Sequence, residues 1–316
     1  MVNDHEHKGS MKIFIAAIFF SCFLNYALFA SSDYFLSFIV PTYNRAHTIC
    51  AAIDSIYAQT NLKIPWEVVV TDDASTDNTI AILQAYKNRY ENFFFYVHEH
   101  NLGPSKARNT CIAHARGDLL FNLDSDNILE PDSVQQLVDV LDELDVQAVA
   151  FGHVRFFKTP GEFAWAWCLK STNGVCTLSD GLQIKRSAWL LGNYLFTRAS
   201  YERAGCYRGR ALETWRFGLR QLLTGTEVVI VPNTYYWHRI SPDGNLRRGD
   251  INQQNARAAI KEFNMYKDLF TPETQELIRS YTRYEKFFTD VRHNKFKLLP
   301  DEQLREVLEK YRAQSE

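Results

Sequence analysis

A chain of 316 residues with 46% hydrophobic and 14% aromatic side chains carries enough apolar surface for one large core plus appendages. Its 35 basic and 37 acidic residues leave a formal charge of −2, so no global positive field draws it to nucleic acid, and that class of partner is excluded. Six cysteines, none in a Cys-x-x-Cys pair, do not make a disulfide framework in a chain this long.

Lys8 and Lys12 precede an apolar run, Ile13–Ala30, that has no polar face. Residues 1–32 therefore read as a hydrophobic leader, either a signal peptide or a membrane anchor, and offer a route to membrane association. If the leader is used, the protein belongs to a membrane or the secretory pathway; otherwise it is cytoplasmic.

Beyond the leader, strand and helix signals alternate. Phe35–Val40 is an apolar strand ended by Pro41-Thr42-Tyr43-Asn44, and His47–Gln59 follows with apolar residues at helical spacing. Glu67–Thr71 is β-branched and ends in Asp72-Asp73, and Ser75-Thr76-Asp77 offers N-cap chemistry for the next helix. Phe93–Val97 is a third strand. Gly103-Pro104 opens another helix, since proline is tolerated in a first turn. Leu119–Leu123 is a fourth strand, Val134–Leu144 a helix and Val146–Phe151 a fifth strand. An aromatic-rich, less regular stretch runs from about Gly152 to Arg208. Leu212–Leu223 is then a helix and Glu227–Val231 a strand. From Ile251 onward, apolar residues repeat at three and four, as in amphipathic helices. The expected division is a leader (1–32), a main α/β domain (33–240), and a basic loop with a helical C-terminal extension (241–316).

This alternation with short connections predicts an α/β fold, a mostly parallel sheet flanked by helices. Ligands of such sheets bind at the carboxyl ends of the strands, so Tyr43, Asp72, Asp73, Asp124 and Asp126 should converge on one crevice. In Asn122-Leu-Asp-Ser-Asp-Asn127, two carboxylates one residue apart close an apolar run and can point to the same side. Converging anions call for a cation between them, and carboxylate oxygens suit Mg2+ or Mn2+. The competing reading is a solvated turn.

Four segments carry a resemblance to a known family: Phe38-Ile-Val-Pro-Thr-Tyr-Asn-Arg45, Val68-Val-Val-Thr-Asp-Asp-Ala-Ser-Thr-Asp77, Asn101-Leu-Gly-Pro-Ser-Lys-Ala-Arg-Asn109, and Ala115 through Asn127. In that order the chain resembles the family 2 glycosyltransferases, inverting enzymes with the GT-A nucleotide-diphosphosugar transferase fold. The likeness covers roughly Tyr34 to Ile240 and weakens after Gly152. It implies transfer of a sugar from a nucleotide-diphosphosugar, such as a UDP-sugar, to a hydroxyl of a glycan, lipid or other acceptor, with Mn2+ or Mg2+ as cofactor.

Carried onto these positions, the resemblance places Pro41, Tyr43 and Arg45 at the nucleotide, Pro41 and Tyr43 lining the base pocket. Asp72 or Asp73 accepts the base N–H, the other serving as a helix cap. Lys106 and Arg108 meet the diphosphate or form salt bridges. Asp124 reaches ribose or metal, Asp126 ligates the metal, and His238 is a third ligand or an ordinary histidine in an aromatic stretch. The family's acidic pair before a helix, with an arginine six residues on, becomes Glu213, Thr214 and Arg220 here. A threonine hydroxyl takes no proton near neutral pH, so Glu213 is the expected general base. The alternatives are a shifted helix register or impaired transfer, which would leave a degenerate subunit that binds nucleotide-sugar or glycan. Arg239, Arg247 and Arg248 lie in or beside a glycine-punctuated loop that could close over a diphosphate, with an ordinary exposed loop as the default reading for Arg247 and Arg248. Trp165, Trp167 and Trp189 either stack on sugar faces or fill a core.

Overall fold

The computed structural model describes residues 35–168, 174–182, 192–240, 249–281, 286–287, 289–290 and 295–313. The leader, Trp189, Arg247, Arg248 and the side chain of Trp167 lie outside the described residues. Among those described, no helix is long and apolar enough to cross a membrane.

Strand β1 (Leu36–Thr42) is buried along its whole length, as a strand covered on both faces must be. It pairs in parallel with β2 (Trp66–Asp72) on one side and β4 (Leu119–Asn122) on the other, and β2 pairs in parallel with β3 (Phe93–Val97). Helices α1 (Ile49–Tyr57), α2 (Thr79–Arg89) and α3 (Pro104–His114) make the crossovers. All four strands therefore end at the same edge.

The second half departs from simple alternation. After the two-residue β5 (Ile128–Leu129) and α4 (Ser133–Leu144), the chain enters β6 (Ala148–Phe157). The sequence placed a fifth strand here, but β6 does not lie next to β4. Between them sits β8 (Tyr194–Thr197), antiparallel to both, drawn from the stretch read as irregular. Its four residues include Tyr194, Leu195 and Phe196, all fully buried, and so short a run carries little periodicity. The ribbon β7 (Phe163–Cys168) pairs antiparallel with β6. Strand β9 (Val228–Arg239) runs parallel to β6 through to Phe157↔Arg239 and is far longer than Glu227–Val231. His238 thus lies within a strand rather than after one.

Helices α5 (Leu178–Leu182), α6 (Arg198–Ala204) and α7 (Glu213–Leu223) cover this half, followed by α8 (Gly249–Met265), α9 (Pro272–Arg279) and α10 (Asp301–Ala313). The C-terminal helices are not a loose appendage. Ala256, Ala259 and Phe263 of α8 are buried in one core cluster with Trp215, Phe217 and Leu219 of α7. Arg220, which the family pattern places near the chemistry, turns inward instead. It donates to the carbonyls of Ala204 and Cys206, 2.9 and 2.8 Å away, and lies 3.6 Å from Glu262.

Glu262, 1% exposed, also accepts from Arg216 at 2.6 Å. Burial pushes the Arg220 guanidinium below its ordinary range, and Glu262 opposes that shift. Removing one partner of such a pair strands buried charge. Glu262→Ala is therefore expected to lose about 3–5 kcal/mol of stability, the cost of breaking a buried ion pair, read from denaturant unfolding.

Candidate functional site

Two loops at the sheet edge are sewn together. In the loop after β1, the backbone N–H of Asn44 donates to Ser75 Oγ (2.8 Å), and that of Arg45 to Thr79 Oγ1 (2.9 Å). In return, Asn44 Oδ1 accepts from the Thr76 N–H at 2.8 Å, and Asp77 accepts from the Ala46 N–H at 3.0 Å. Each loop contains a left-handed residue, Asn44 (φ 50°) and Ala74 (φ 65°), a conformation that costs an alanine energy and that the cross-bonds maintain. Pro41 is buried at the end of β1, and the Tyr43 ring is 42% exposed beside it, available as a flat face.

Asp72 and Asp73 point in different directions. Asp72 accepts from the backbone N–H (2.7 Å) and hydroxyl of Ser75, shaping its own turn. Asp73 reaches across to the segment between β3 and α3, where Oδ1 accepts from the Leu102 N–H at 2.9 Å and Oδ2 from the Gly103 N–H at 2.7 Å. His98 Nδ1 lies 2.7 Å from Asp73 Oδ1. Gly103 has φ 93°, and Arg210 side-chain atoms lie about 3.1 Å from where a Cβ would stand, so only glycine suits this entry to α3.

Arg108 is the centre of the site. It is 4% exposed and donates through Nε to Asn122 Oδ1 (3.1 Å), through one terminal nitrogen to Glu213 (2.8 Å) and through the other to Asp124 (2.6 Å). The sequence offered diphosphate or surface salt bridge for Arg108; the geometry is instead a buried double ion pair joining the end of β4 to the start of α7. Burial disfavours its charge, but Asp124 and Glu213 outweigh this and hold its proton more firmly than usual. Lys106, two residues earlier on α3, is exposed.

Glu213 is the first residue of α7, preceded by Leu212 at φ 52°, a strained conformation for leucine immediately before the candidate base. Thr214 turns towards Gly192: a Cβ on that glycine would stand 2.8 Å from Thr214 Cγ2 and 3.4 Å from Asn122 Nδ2. Asn193 Oδ1 accepts the backbone N–H of Asp124 at 2.8 Å and fixes the turn that carries both aspartates.

Asp126 lies 3.8 Å from Arg45. Burial raises its carboxyl above the ordinary range, the facing Asp124 raises it further, and Arg45 and His238 oppose the shift. Burial holds His238 below its ordinary range, so the ring stands neutral, and its Nδ1 is a buried atom without a hydrogen-bond partner. Two carboxylates and a neutral imidazole with an orphaned nitrogen are a donor set that suits a divalent cation. Among the described residues, no three such side chains stand already closed to metal-holding distance. Arginine nitrogens face both carboxylates instead. Arg239 donates to the carbonyls of Asp126 (3.1 Å) and Lys158 (3.4 Å), tying the end of β9 to the aspartate turn. Trp165, 40% exposed, stacks on Phe156 at 3.9 Å, and Phe156 in turn lies 5.1 Å from His238.

The sequence reading named Asp73, Arg108, Asp124, Asp126, Glu213 and His238 and missed three residues that hold them. Asn122 was visible as the one polar residue inside an apolar strand. His98 and Asn193 left no such signal, because their partners are distant in sequence.

A sheet whose strand ends gather acidic and basic groups in this way defines the nucleotide-diphosphosugar transferase class of α/β fold. The chain belongs to glycosyl transferase family 2, whose family model matches residues 37–204. It is 34% identical over 214 residues to the poly(ribitol-phosphate) beta-N-acetylglucosaminyltransferase TarS of Staphylococcus aureus, covering 66% of this chain and 36% of that protein. It is 36% identical over 110 residues to the UDP-Glc:alpha-D-GlcNAc-diphosphoundecaprenol beta-1,3-glucosyltransferase WfgD of Escherichia coli, covering 34% of this chain and 42% of that one. The matched segments thus span less than half the length of either relative. The crystal structure of S. aureus TarS 1-349 in complex with UDP-GlcNAc matches the fold with a TM-score of 0.59 at 21% identity, covering 89% of this chain and 88% of that one.

Proposed function

We propose that this chain transfers a sugar from a UDP-sugar to a hydroxyl of a glycan or lipid-linked acceptor, with inversion, supported by Mn2+ or Mg2+. The observation that carries the reading is the cluster in which Arg108 joins Asp124 to Glu213 while Asp126 and His238 face the same turn. The relatives' names, with their UDP-sugar donors and beta linkages, favour the same chemistry.

In this reading Pro41 and Tyr43 line the base pocket, Asp73 accepts the base N–H, and Arg45 stands beside the nucleotide. Asp124, Asp126 and His238 would hold the divalent cation, which when bound offsets diphosphate charge. Glu213, fixed at a helix start by Arg108, takes the acceptor proton as the hydroxyl attacks the anomeric carbon, and the nucleoside diphosphate departs from the opposite face. Arg108 keeps Glu213 and Asp124 in a fixed relation, which favours a productive arrangement before substrate arrives.

The test is a donor screen by UDP release with manganese and a panel of acceptors. Release from at least one UDP-sugar is expected. Thr214 supports one other reading, a subunit that binds without transfer. Tight UDP binding with no release from any donor would establish that reading instead.

A further inference from the structure

We propose that His98 is a positioning residue that sets the base selectivity of the nucleotide pocket by orienting Asp73. This rests on the reading above that Asp73 receives the nucleobase.

The observations form a chain from β2 to α3. Asp73 is 3% exposed, and its side chain meets three donors from a single short segment: His98, Leu102 and Gly103. The other His98 nitrogen, Nε2, lies 3.0 Å from Thr110 Oγ1 on α3. An ionised carboxylate only accepts, so the His98 Nδ1 must carry the hydrogen towards Asp73. Nε2 meets the Thr110 hydroxyl, which can donate or accept there. The His98 side chain is 10% exposed, so the ring is enclosed and its direction is set from both ends.

The distribution of bonds on Asp73 has a consequence. Oδ1 receives two donors, whereas Oδ2 receives only the Gly103 N–H. A carboxylate offers about four acceptor sites, so Oδ2 is the oxygen with capacity left for a ligand. His98, with the Leu102 N–H, fills Oδ1 and holds the plane of the carboxylate, which leaves the free lone pair on Oδ2. Uracil brings an N–H to that position. Cytosine brings a lone pair at the same ring nitrogen, which the carboxylate repels. A rotated Asp73 would lose this discrimination while keeping its charge, so His98 acts on selectivity rather than on affinity alone.

The experiment titrates the full chain with UDP and separately with CDP, both with manganese, for wild type, His98→Leu, His98→Asn and Thr110→Val, alongside thermal unfolding. Wild type is expected to prefer UDP. His98→Leu should weaken UDP about five- to tenfold, in the range of one ordinary net hydrogen bond, with CDP nearly unchanged. His98→Asn, whose amide can still donate to Oδ1, should recover most of the loss. Thr110→Val, a near-isosteric change, should cost UDP about two- to threefold. UDP preference unchanged in both His98→Leu and Thr110→Val would overturn the role of His98 while leaving the donor reading intact, as would equal losses of UDP and CDP in step with unfolding temperature. A wild type that binds UDP and CDP alike, or neither, would overturn the base-pocket reading and the His98 proposal with it.

Discussion

Asp126→Ala is expected to abolish manganese-dependent UDP binding and to lower kcat/KM by more than about 100-fold, since even the outer partners of metal ligands are worth 10–100-fold. Asp126 is half-buried, faces Asp124 and His238, and has a carboxyl raised by that environment, so its charge is held against a gradient that a divalent cation would reverse. Arg45, 3.8 Å away, partly offsets it. The loss should therefore appear in binding measured with the metal present, and chelation of wild type should reproduce it. The fold should survive, because the turn is fixed by Asn193 and Arg239 through backbone atoms rather than through the Asp126 carboxylate. Wild-type UDP affinity that ignores both chelator and the substitution would remove the metal from this account.

Glu213→Gln is expected to bind UDP-sugar within about twofold of wild type and to lose roughly 10²–10⁴-fold in kcat, the usual worth of a general base. The amide oxygen of glutamine can still accept from Arg108, so the cluster keeps its shape while the proton acceptor disappears. A kcat within a few-fold of wild type would move the base elsewhere. Glu213→Ala is the poorer experiment, because it leaves the buried Arg108 with one counter-charge in place of two.

Much of this was legible before the structure. Strands β1 to β4 were visible because their runs are apolar and because periodicity in α1, the capping residues before α2 and Pro104 at the start of α3 mark the connecting helices. That Asp124 and Asp126 face one another followed from their spacing at a strand end. What stayed hidden was non-local. Nothing in Tyr194–Thr197 indicates that it inserts between β4 and β6, because pairing order is decided by side chains from other strands. The full length of β9 was obscured because Pro232 and the left-handed Asn233 (φ 62°) interrupt it and its second half runs through three consecutive aromatics, Tyr235-Tyr236-Trp237, without a strand's alternation. Arg108 read equally well as a phosphate ligand or a surface ion pair, since neither spacing nor composition reveals burial. Arg220 fitted a family position and yet serves the α7–α8 contact.

That contact sets the smallest piece of this protein worth expressing. The segment shared with its family ends at residue 204, and a boundary at 240 looks natural from strand content. The first cut would discard the helix Glu213–Leu223 outright, and the second would discard Glu262 and leave Arg216 and Arg220 as unneutralised cations against an apolar seam formed by Trp215, Phe217 and Leu219. The helix so exposed is the one that begins with Glu213. A fragment ending at 240 would thus lose its hold on the far end of that helix, and inactivity in such a fragment would say nothing about chemistry.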